Sequence, residues 1–354
     1  MLISLQILRA IAVLLVIIVH FSVLAQKNII DINIKPFYFG LAGVDIFFVI
    51  SGFIMYYIIS KPNVNKYEFL KHRFFRIFPL YWFYFSILLI LAMYSPSLVT
   101  SYADTNLLAS FLLLPSFSPS FLNVSWTLVY EMYFYFVVFI FMVFFKNTKY
   151  FLIFLMTIFL ISFLISFLNK LPELNAIFLV YGSPLLFEFL MGGCVYILVS
   201  KLNKLNRLYS FLLLFFSLCL LFASHRYYIG VDTFFTEIFN GYKQYGRVIY
   251  FGIPSAIFVY SVLQFEVYFK ESSFSLVNFF NYLGNASYSL YLSHYFVLVF
   301  LFKVFDKLPI TVDTIFEIII VFITFMIISV SLGLFLYEYI EIFLLKEMRK
   351  IRDR

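Results

Sequence analysis

Charged residues are scarce in this chain of 354 residues, at 12% against 64% hydrophobic residues. Soluble domains carry about 25% charged and about 45–50% apolar residues, so no globular core could hide this much apolar surface. The composition excludes a soluble fold and predicts that lipid surrounds the protein. Aromatic residues make up 23% of the chain, which is too many for interfacial belts alone. We therefore expect most aromatic side chains to pack between helices.

Cysteine is rare, and the common catalytic signatures are missing. Only Cys194 and Cys219 occur, each within an apolar run, and neither has the spacing of a metal ligand. The sequence shows no glycine-rich phosphate loop, no zinc-type His/Glu helix and no Gly-x-Ser-x-Gly elbow. We predict no metal site and find no support for redox chemistry.

Long apolar runs are the most abundant feature of the chain. A membrane-spanning helix needs about 20 mostly apolar residues. Ten segments qualify: 5–25, 37–59, 77–95, 126–145, 150–168, 177–199, 208–224, 246–265, 283–305 and 317–340. We therefore predict an all-α fold, a polytopic transmembrane helix bundle of about ten spans. Residues 1–345 would form a single domain, followed by a basic tail at 346–354.

The net charge of +7 predicts orientation rather than nucleic-acid binding, because the basic residues lie in short loops between apolar runs. With the N-terminus inside, the inner loops and the tail hold twice as many Lys and Arg residues as the outer loops. An even number of spans then places both termini in the cytoplasm. The longest outer connection, about 95–125, contains an apolar stretch that is too short to span and is expected to be interfacial or re-entrant.

Two polar residues in the first span, Arg9 and His20, lie eleven positions apart. This spacing places them on one helix face, about 16 Å apart along the axis. A charged side chain at the centre of a span costs about 2.5–3.5 kcal/mol, so it must face a cavity or a partner. We interpret the pair as a polar lane in which His20 acts as a general base. The alternative is a snorkelling Arg9 and a core histidine with satisfied hydrogen bonds.

Two carboxylates also lie inside apolar segments. Asp45 belongs to the run Gly43–Phe53, where it could orient His20, pair with an arginine, or form a buried ion pair that fixes helix packing. Glu131 follows Trp126 near the outer start of the fourth span. We expect Glu131 to hold a substrate hydroxyl or its proton, with capping or pairing at the helix start as the alternative.

Two further patterns in the sequence indicate a candidate anion-binding site and a polar contact between helices. Arg73 and Arg76 share one helix face and make a two-pronged site suited to phosphates, although spacing alone favours ordinary inner-loop charge. In the ninth span, Ser287, Tyr291 and His294 form a polar stripe on one face. Hydrogen bonding between helices is the favoured interpretation of that stripe.

Taken in order, these motifs resemble those of the acyltransferase-3 family of integral membrane acyltransferases. The resemblance covers essentially the whole chain and rests on five segments: Arg9 with His20, Gly43–Phe53, Arg73–Tyr81, Ser125–Glu131 and Gly284–His294. It implies an O-acetyltransferase of the bacterial cytoplasmic membrane. The co-substrate would be acyl-CoA, usually acetyl-CoA, with no bound cofactor. The acceptor would be a hydroxyl of a carbohydrate destined for the cell surface.

The resemblance assigns catalysis to His20 and donor binding to Arg73 and Arg76, with Arg9 in support. From their positions we add Asp45 and Glu131 as catalytic candidates. Further candidates are Ser51, Trp126, Tyr291 and His294.

A transporter or flippase for lipid-linked saccharides is the alternative function. Such folds have related halves, and residues 1–175 show no relation to residues 176–354. The acyl chain length, the acceptor sugar, and the choice between direct transfer and an acyl-enzyme intermediate stay open.

Overall fold

The computed structural model of the chain describes residues 2–29, 37–94, 105–116, 118–168, 180–202, 204–228, 245–272, 274–309 and 312–352. All regular elements in these ranges are helical, which confirms the predicted all-α class. The α-helices are α1 Ile3–Asn28, α2 Ala42–Ile59, α3 Lys66–Tyr94, α4 Leu107–Phe111, α5 Trp126–Phe144, α6 Phe151–Leu168, α7 Leu186–Lys201, α8 Arg207–Tyr228, α9 Ile253–Leu263, α10 Glu266–Glu271, α11 Ser275–Asn285, α12 Ser287–Phe305, α13 Ile315–Leu336 and α14 Ile342–Arg352.

Within the described ranges, nine helical stretches are long and apolar enough to cross a membrane. They are Ile3–Asn28, Tyr38–Ile59, Lys66–Tyr94, Asn123–Phe144, Thr148–Ile165, Arg207–His225, Tyr245–Leu263, Ser287–Phe305 and Ile315–Met348. The remaining predicted span, 177–199, overlaps α7, which has 16 residues, while its first residues, 177–179, lie outside the described ranges. The polytopic helical bundle is thus confirmed, and the placement of both termini in the cytoplasm stays a prediction.

Helix α3 begins at Lys66, well before the predicted span at 77–95. The side chain of Asn65 accepts hydrogen bonds from the backbone N–H groups of Tyr67 (2.9 Å) and Glu68 (3.4 Å), which satisfies donors that the first turn of a helix leaves open. The helix therefore extends from Lys66 into the apolar segment, and Arg73 and Arg76 lie on it.

A carboxylate of α10 fixes the start of α1. Glu266 accepts hydrogen bonds from the backbone N–H groups of Ile3 (3.2 Å) and Ser4 (2.8 Å), and from the Ser4 hydroxyl (2.6 Å). A negative charge at this end of a helix also offsets the helix dipole. This contact sets the axial position of α1, the helix that carries Arg9 and His20.

Two glycines let α2 and α7 approach at backbone distance. A Cβ on Gly52 would lie 2.0 Å from the carbonyl oxygen of Phe189, and a Cβ on Gly192 would lie 2.0 Å from that of Val49. Small residues at facing positions are the usual means of close helix packing in membranes. The contact holds α2, which carries Asp45 and Ser51, against the rest of the bundle.

We expect Gly192→Ala to destabilise the protein by about 1–3 kcal/mol, the usual cost of an overpacked contact. The new methyl group would meet backbone atoms of Val49 and Phe53, which cannot move aside without shifting α2. Gly193→Ala is the matched control, because its methyl group would meet the side chains of Leu152 and Tyr56. Thermal aggregation of the detergent-solubilised variants measures the difference. Equal aggregation temperatures for the two variants would contradict the packing argument.

Candidate active site

A cavity of about 770 Å³ lies among α1, α2, α3, α5 and α12. Its polar lining includes three arginines, one carboxylate and several hydroxyl groups. They are Arg9, Arg73, Arg76, Glu131, Ser51, Thr127, Tyr135, Ser287, Tyr288 and Tyr291. The structure thus brings together the three predicted donor-binding arginines, and this space is the arginine cavity below.

Positively charged side chains outnumber negatively charged ones in the lining of the arginine cavity. Glu131 accepts hydrogen bonds from the hydroxyl groups of Ser51 (3.0 Å) and Tyr135. The guanidinium of Arg73 lies 5.6 Å from the Tyr135 ring centroid, and its Nε has no hydrogen-bond partner among the described residues. The buried Glu341 also interacts electrostatically with Arg9 and Arg76. Three arginines against these two carboxylates still leave excess positive charge in a partly buried space, which is a suitable site for a polyanion.

The structure places Glu131 in the arginine cavity, and its expected role with a sugar hydroxyl or an acceptor-side proton stays a prediction. The residue does not line the cavity that contains His20. The reason is depth, because α5 begins at Trp126 and five residues advance the helix by about 7.5 Å. The pairing alternative therefore describes its contacts better.

A second cavity, of about 390 Å³, contains His20. It is lined by Val16, Val19, His20, Gly40, Leu41, Val44, Asn123, Trp126, Arg247 and Tyr291. Val44 and Tyr291 line both this histidine cavity and the arginine cavity. The two spaces therefore share these two side chains, and a continuous polar lane from Arg9 to His20 stays a prediction.

Tyr291 is held firmly where the two cavities meet. Its hydroxyl donates to the carbonyl oxygen of Val124 at 2.9 Å and lies 2.8 Å from the hydroxyl oxygen of Thr127. Its ring packs edge-on against Phe47, with the centroids 5.9 Å apart. The Tyr291 side chain is thus held by polar contacts at its hydroxyl group and by an aromatic contact at its ring, where it lines both cavities.

His20 contacts a second histidine, His294 of α12. The Nδ1 atom of His20 lies 2.8 Å from the carbonyl oxygen of Val16 and 3.2 Å from the Nε2 atom of His294. The Nδ1 atom of His294 lies 3.2 Å from the carbonyl oxygen of Leu290. Because a carbonyl only accepts, we assign a proton to Nδ1 of both rings. This tautomer leaves Nε2 of His20 as the basic nitrogen, with His294 positioning the ring.

Asp45 pairs with an arginine and does not line the histidine cavity, and its expected role in orienting His20 stays a prediction. Its carboxylate pairs with the guanidinium of Arg247, at 3.0 and 3.2 Å. Asp45 is fully buried and Arg247 is 6% exposed. The buried Glu188 interacts electrostatically with both. The expected pairing of Asp45 with an arginine is what the structure shows.

Arg247 is the site residue that sequence reasoning missed. It lines the histidine cavity, and its guanidinium lies 5.7 Å from the Trp126 ring centroid. In the sequence it counts as one more outer-loop cation at the edge of an apolar run. A charge-balance argument would have found it, because a deep Asp45 requires a cation and Arg247 is the second residue of the predicted span 246–265.

The other candidates are distributed over the two cavities. Ser51 lies in the arginine cavity, Trp126 in the histidine cavity, and Tyr291 between them. His294 is fully buried behind His20.

This fold, with arginine side chains lining an internal cavity, defines a polytopic helical membrane protein. The chain belongs to the acyltransferase-3 family, whose acyltransferase domain model matches residues 2–334. Membership confirms the resemblance that the sequence motifs indicate.

One curated relative is similar over part of the chain. The exopolysaccharide production protein ExoZ of Rhizobium meliloti (strain 1021) is 42% identical over 107 residues. The match covers 28% of this chain and 33% of the relative's length. No solved structure matches the chain.

Proposed function

We propose that the protein transfers an acyl group, in the simplest case acetyl, from cytoplasmic acyl-CoA to a hydroxyl group of a cell-surface polysaccharide or its precursor in the bacterial cytoplasmic membrane. The observation that carries this proposal is the meeting of the arginine cavity and the histidine cavity at Tyr291 and Val44. The name of the partly matching relative, an exopolysaccharide production protein, supports a polysaccharide acceptor.

The arginine cavity is suited to the donor. CoA carries several phosphate charges at one end and its thioester at the other. Arg73 and Arg76, with Arg9 deeper on α1, would hold the phosphates, and the pantetheine arm would extend along the lane toward Tyr291. Arg9 is only 8% exposed, so a bound anion there would be largely desolvated and strongly attracted.

The histidine cavity is suited to the chemistry. The Nε2 atom of His20 would take the proton of the acceptor hydroxyl while the hydroxyl oxygen attacks the thioester carbonyl carbon. The resulting tetrahedral oxyanion would collapse with cleavage of the carbon–sulfur bond, and the thiolate would leave with the proton from His20. His294 would accept the Nδ1 hydrogen of His20 throughout, which keeps the ring in its reactive orientation.

Arg247 supplies the remaining electrostatic element. Its guanidinium is fixed in the histidine cavity by Asp45, so it needs no reorganisation as negative charge forms on the carbonyl oxygen. Fixed positive groups of this kind stabilise the transition state more than the ground state. Arg247 would therefore act as the oxyanion-stabilising group.

The proposed function is tested with membranes that contain the protein, acetyl-CoA labelled in its acetyl group, and surface glycan from the host. Label that enters the glycan with the wild type and not with empty membranes supports the proposal. If correctly inserted wild-type protein transfers no label from any of a panel of acyl-CoA donors, the result would contradict the proposal and favour a transporter or flippase.

We expect the double substitution Arg73→Gln with Arg76→Gln to raise the KM for acyl-CoA by about 10²- to 10⁴-fold, the effect of two lost hydrogen bonds. The reason is that each lost hydrogen bond to a charged group is worth about 1.5–3 kcal/mol. The KM for the acceptor should stay unchanged. Lys61→Gln is the matched control, because Lys61 is an exposed cation on the same predicted side that lines neither cavity. A KM for acyl-CoA that is unaffected by the double substitution would contradict the donor site.

A further inference from the structure

A third cavity, of about 430 Å³, adjoins the histidine cavity at Trp126. Five serines contribute to its wall: Ser110, Ser116, Ser118, Ser120 and Ser125. The rest of the described lining is apolar or aromatic, and none of it carries a formal charge. The segment between α4 and α5 and the start of α5 build this space, which we call the serine cavity.

Two of the serine hydroxyls can donate a hydrogen bond into the cavity. The Ser110 hydroxyl oxygen accepts the backbone N–H of Phe121 at 3.1 Å, and the Ser116 hydroxyl oxygen accepts that of Ser118 at 3.1 Å. A hydroxyl that accepts from the backbone still has its own hydrogen to donate. These two groups can therefore present donors to a ligand with oxygen acceptors.

Ser125 gives an independent indication of a polar ligand. The residue is 1% exposed, it lines the cavity, and its hydroxyl oxygen has no hydrogen-bond partner among the described residues. Tyr81 lies beside it but donates its hydroxyl to the backbone carbonyl of Ser110. Buried polar groups in native proteins are nearly always paired, so this hydroxyl favours occupation of the cavity by a hydrogen-bonding molecule.

Trp126 connects the serine cavity with the reaction site. Its side chain lines both the serine cavity and the histidine cavity, and Arg247 lies over its ring. An indole presents a large, rigid apolar face that packs well against the C–H face of a sugar ring. Serine hydroxyls on one side and an aromatic face on the other match the two kinds of surface on a neutral saccharide.

We propose that the serine cavity is the acceptor subsite, which holds one neutral sugar residue of the glycan so that a neighbouring hydroxyl reaches His20 past Trp126. The inference rests on the proposed function for the identity of the acceptor. The uncharged lining distinguishes this subsite from the arginine cavity and disfavours an anionic sugar at this position.

Direct binding tests the subsite without any acyl donor. The chain has two tryptophans, Trp82 and Trp126, so Trp82→Phe leaves Trp126 as the only indole reporter. The variant is placed in lipid nanodiscs, free of sugar-headed detergents, and titrated with neutral trisaccharides of glucose, galactose and N-acetylglucosamine. We expect a saturable change in Trp126 fluorescence with at least one of them.

Ser125→Ala in the same background is expected to weaken that binding by roughly three- to tenfold, the effect of one hydrogen bond. Ser217→Ala is the control, because the Ser217 hydroxyl donates to Leu214 within α8 and lines none of the three cavities. A missing response to all three sugars would overturn the subsite, and so would a response unchanged by Ser125→Ala.

The same titration separates this inference from the proposed function. Wild-type protein that transfers acyl groups to glycan while Trp126 never responds to sugar would overturn the subsite and keep the acyltransferase. A sugar response that depends on Ser125, in a protein that transfers no acyl group, would support the subsite and overturn the proposed reaction.

Discussion

His20→Ala is expected to lower the turnover of acyl transfer by about 10²- to 10⁴-fold, the range that a positioned general base contributes. The basic Nε2 of His20 is the group that we assign to proton removal from the acceptor hydroxyl, since the hydrogen bonds of His20 and His294 place the ring hydrogens on Nδ1. The KM for acyl-CoA should change little, because His20 does not line the arginine cavity. Initial rates with labelled acetyl-CoA measure both quantities.

The control for His20→Ala is His225→Gln. His225 lies near the end of α8, packs against Phe37 and lines neither cavity, so its replacement should leave turnover near the wild-type value. Binding of acyl-CoA to the His20 variant, measured by equilibrium dialysis, shows whether the donor site is intact. Full turnover in a His20→Ala variant of normal abundance would refute the assignment of His20 as base.

Arg247→Met is expected to destabilise the protein by about 3–5 kcal/mol, the usual cost of removing one partner of a buried ion pair. Asp45 and Glu188 are both fully buried, and without Arg247 these two acids would face each other with no cation between them. Adding Asp45→Asn removes one of the two acids and should recover most of the loss. Thermal aggregation of the solubilised single and double variants measures this rescue.

The activity of the rescued double variant shows whether Arg247 acts only in folding or also in catalysis. If Arg247 stabilises the oxyanion, the folded double variant should still be slower by about 10²- to 10³-fold, as for other lost oxyanion donors. Near-normal turnover would assign Arg247 to packing alone. Arg207→Met is the control for loss of a cation, since Arg207 lies at the start of α8 over the Tyr268 ring and away from both cavities.

The lengths of the apolar runs and the helical spacing of polar residues predicted features that lie within a single helix. Apolar runs of sufficient length indicated the spans, and helical geometry placed Arg9 and His20 on one face. The same reasoning placed Arg73 and Arg76 side by side. Each of these predictions involves residues on one helix, for which spacing alone fixes direction.

The contacts between distant helices could not be predicted in this way. Asp45 and Arg247 are 202 positions apart, and His20 and His294 are 274 apart. Glu131 belongs to the arginine cavity because of the relative depth of α5 and α1, which depends on where each helix begins. The sequence identified Glu131 as a candidate residue but did not predict its hydrogen-bond partners.

The position of Tyr291 has an electrical consequence. A membrane carries a potential across about 30 Å of hydrocarbon, worth about 2.3 kcal/mol per elementary charge at 100 mV. Polar cavities that approach each other from two ends of a bundle shorten this insulating layer. Tyr291 lines both cavities, and its side chain is held by Val124 and Thr127 and packs on Phe47. We therefore expect the Tyr291 side chain, beside which donor and acceptor would meet, also to limit the leakage of ions between the two cavities.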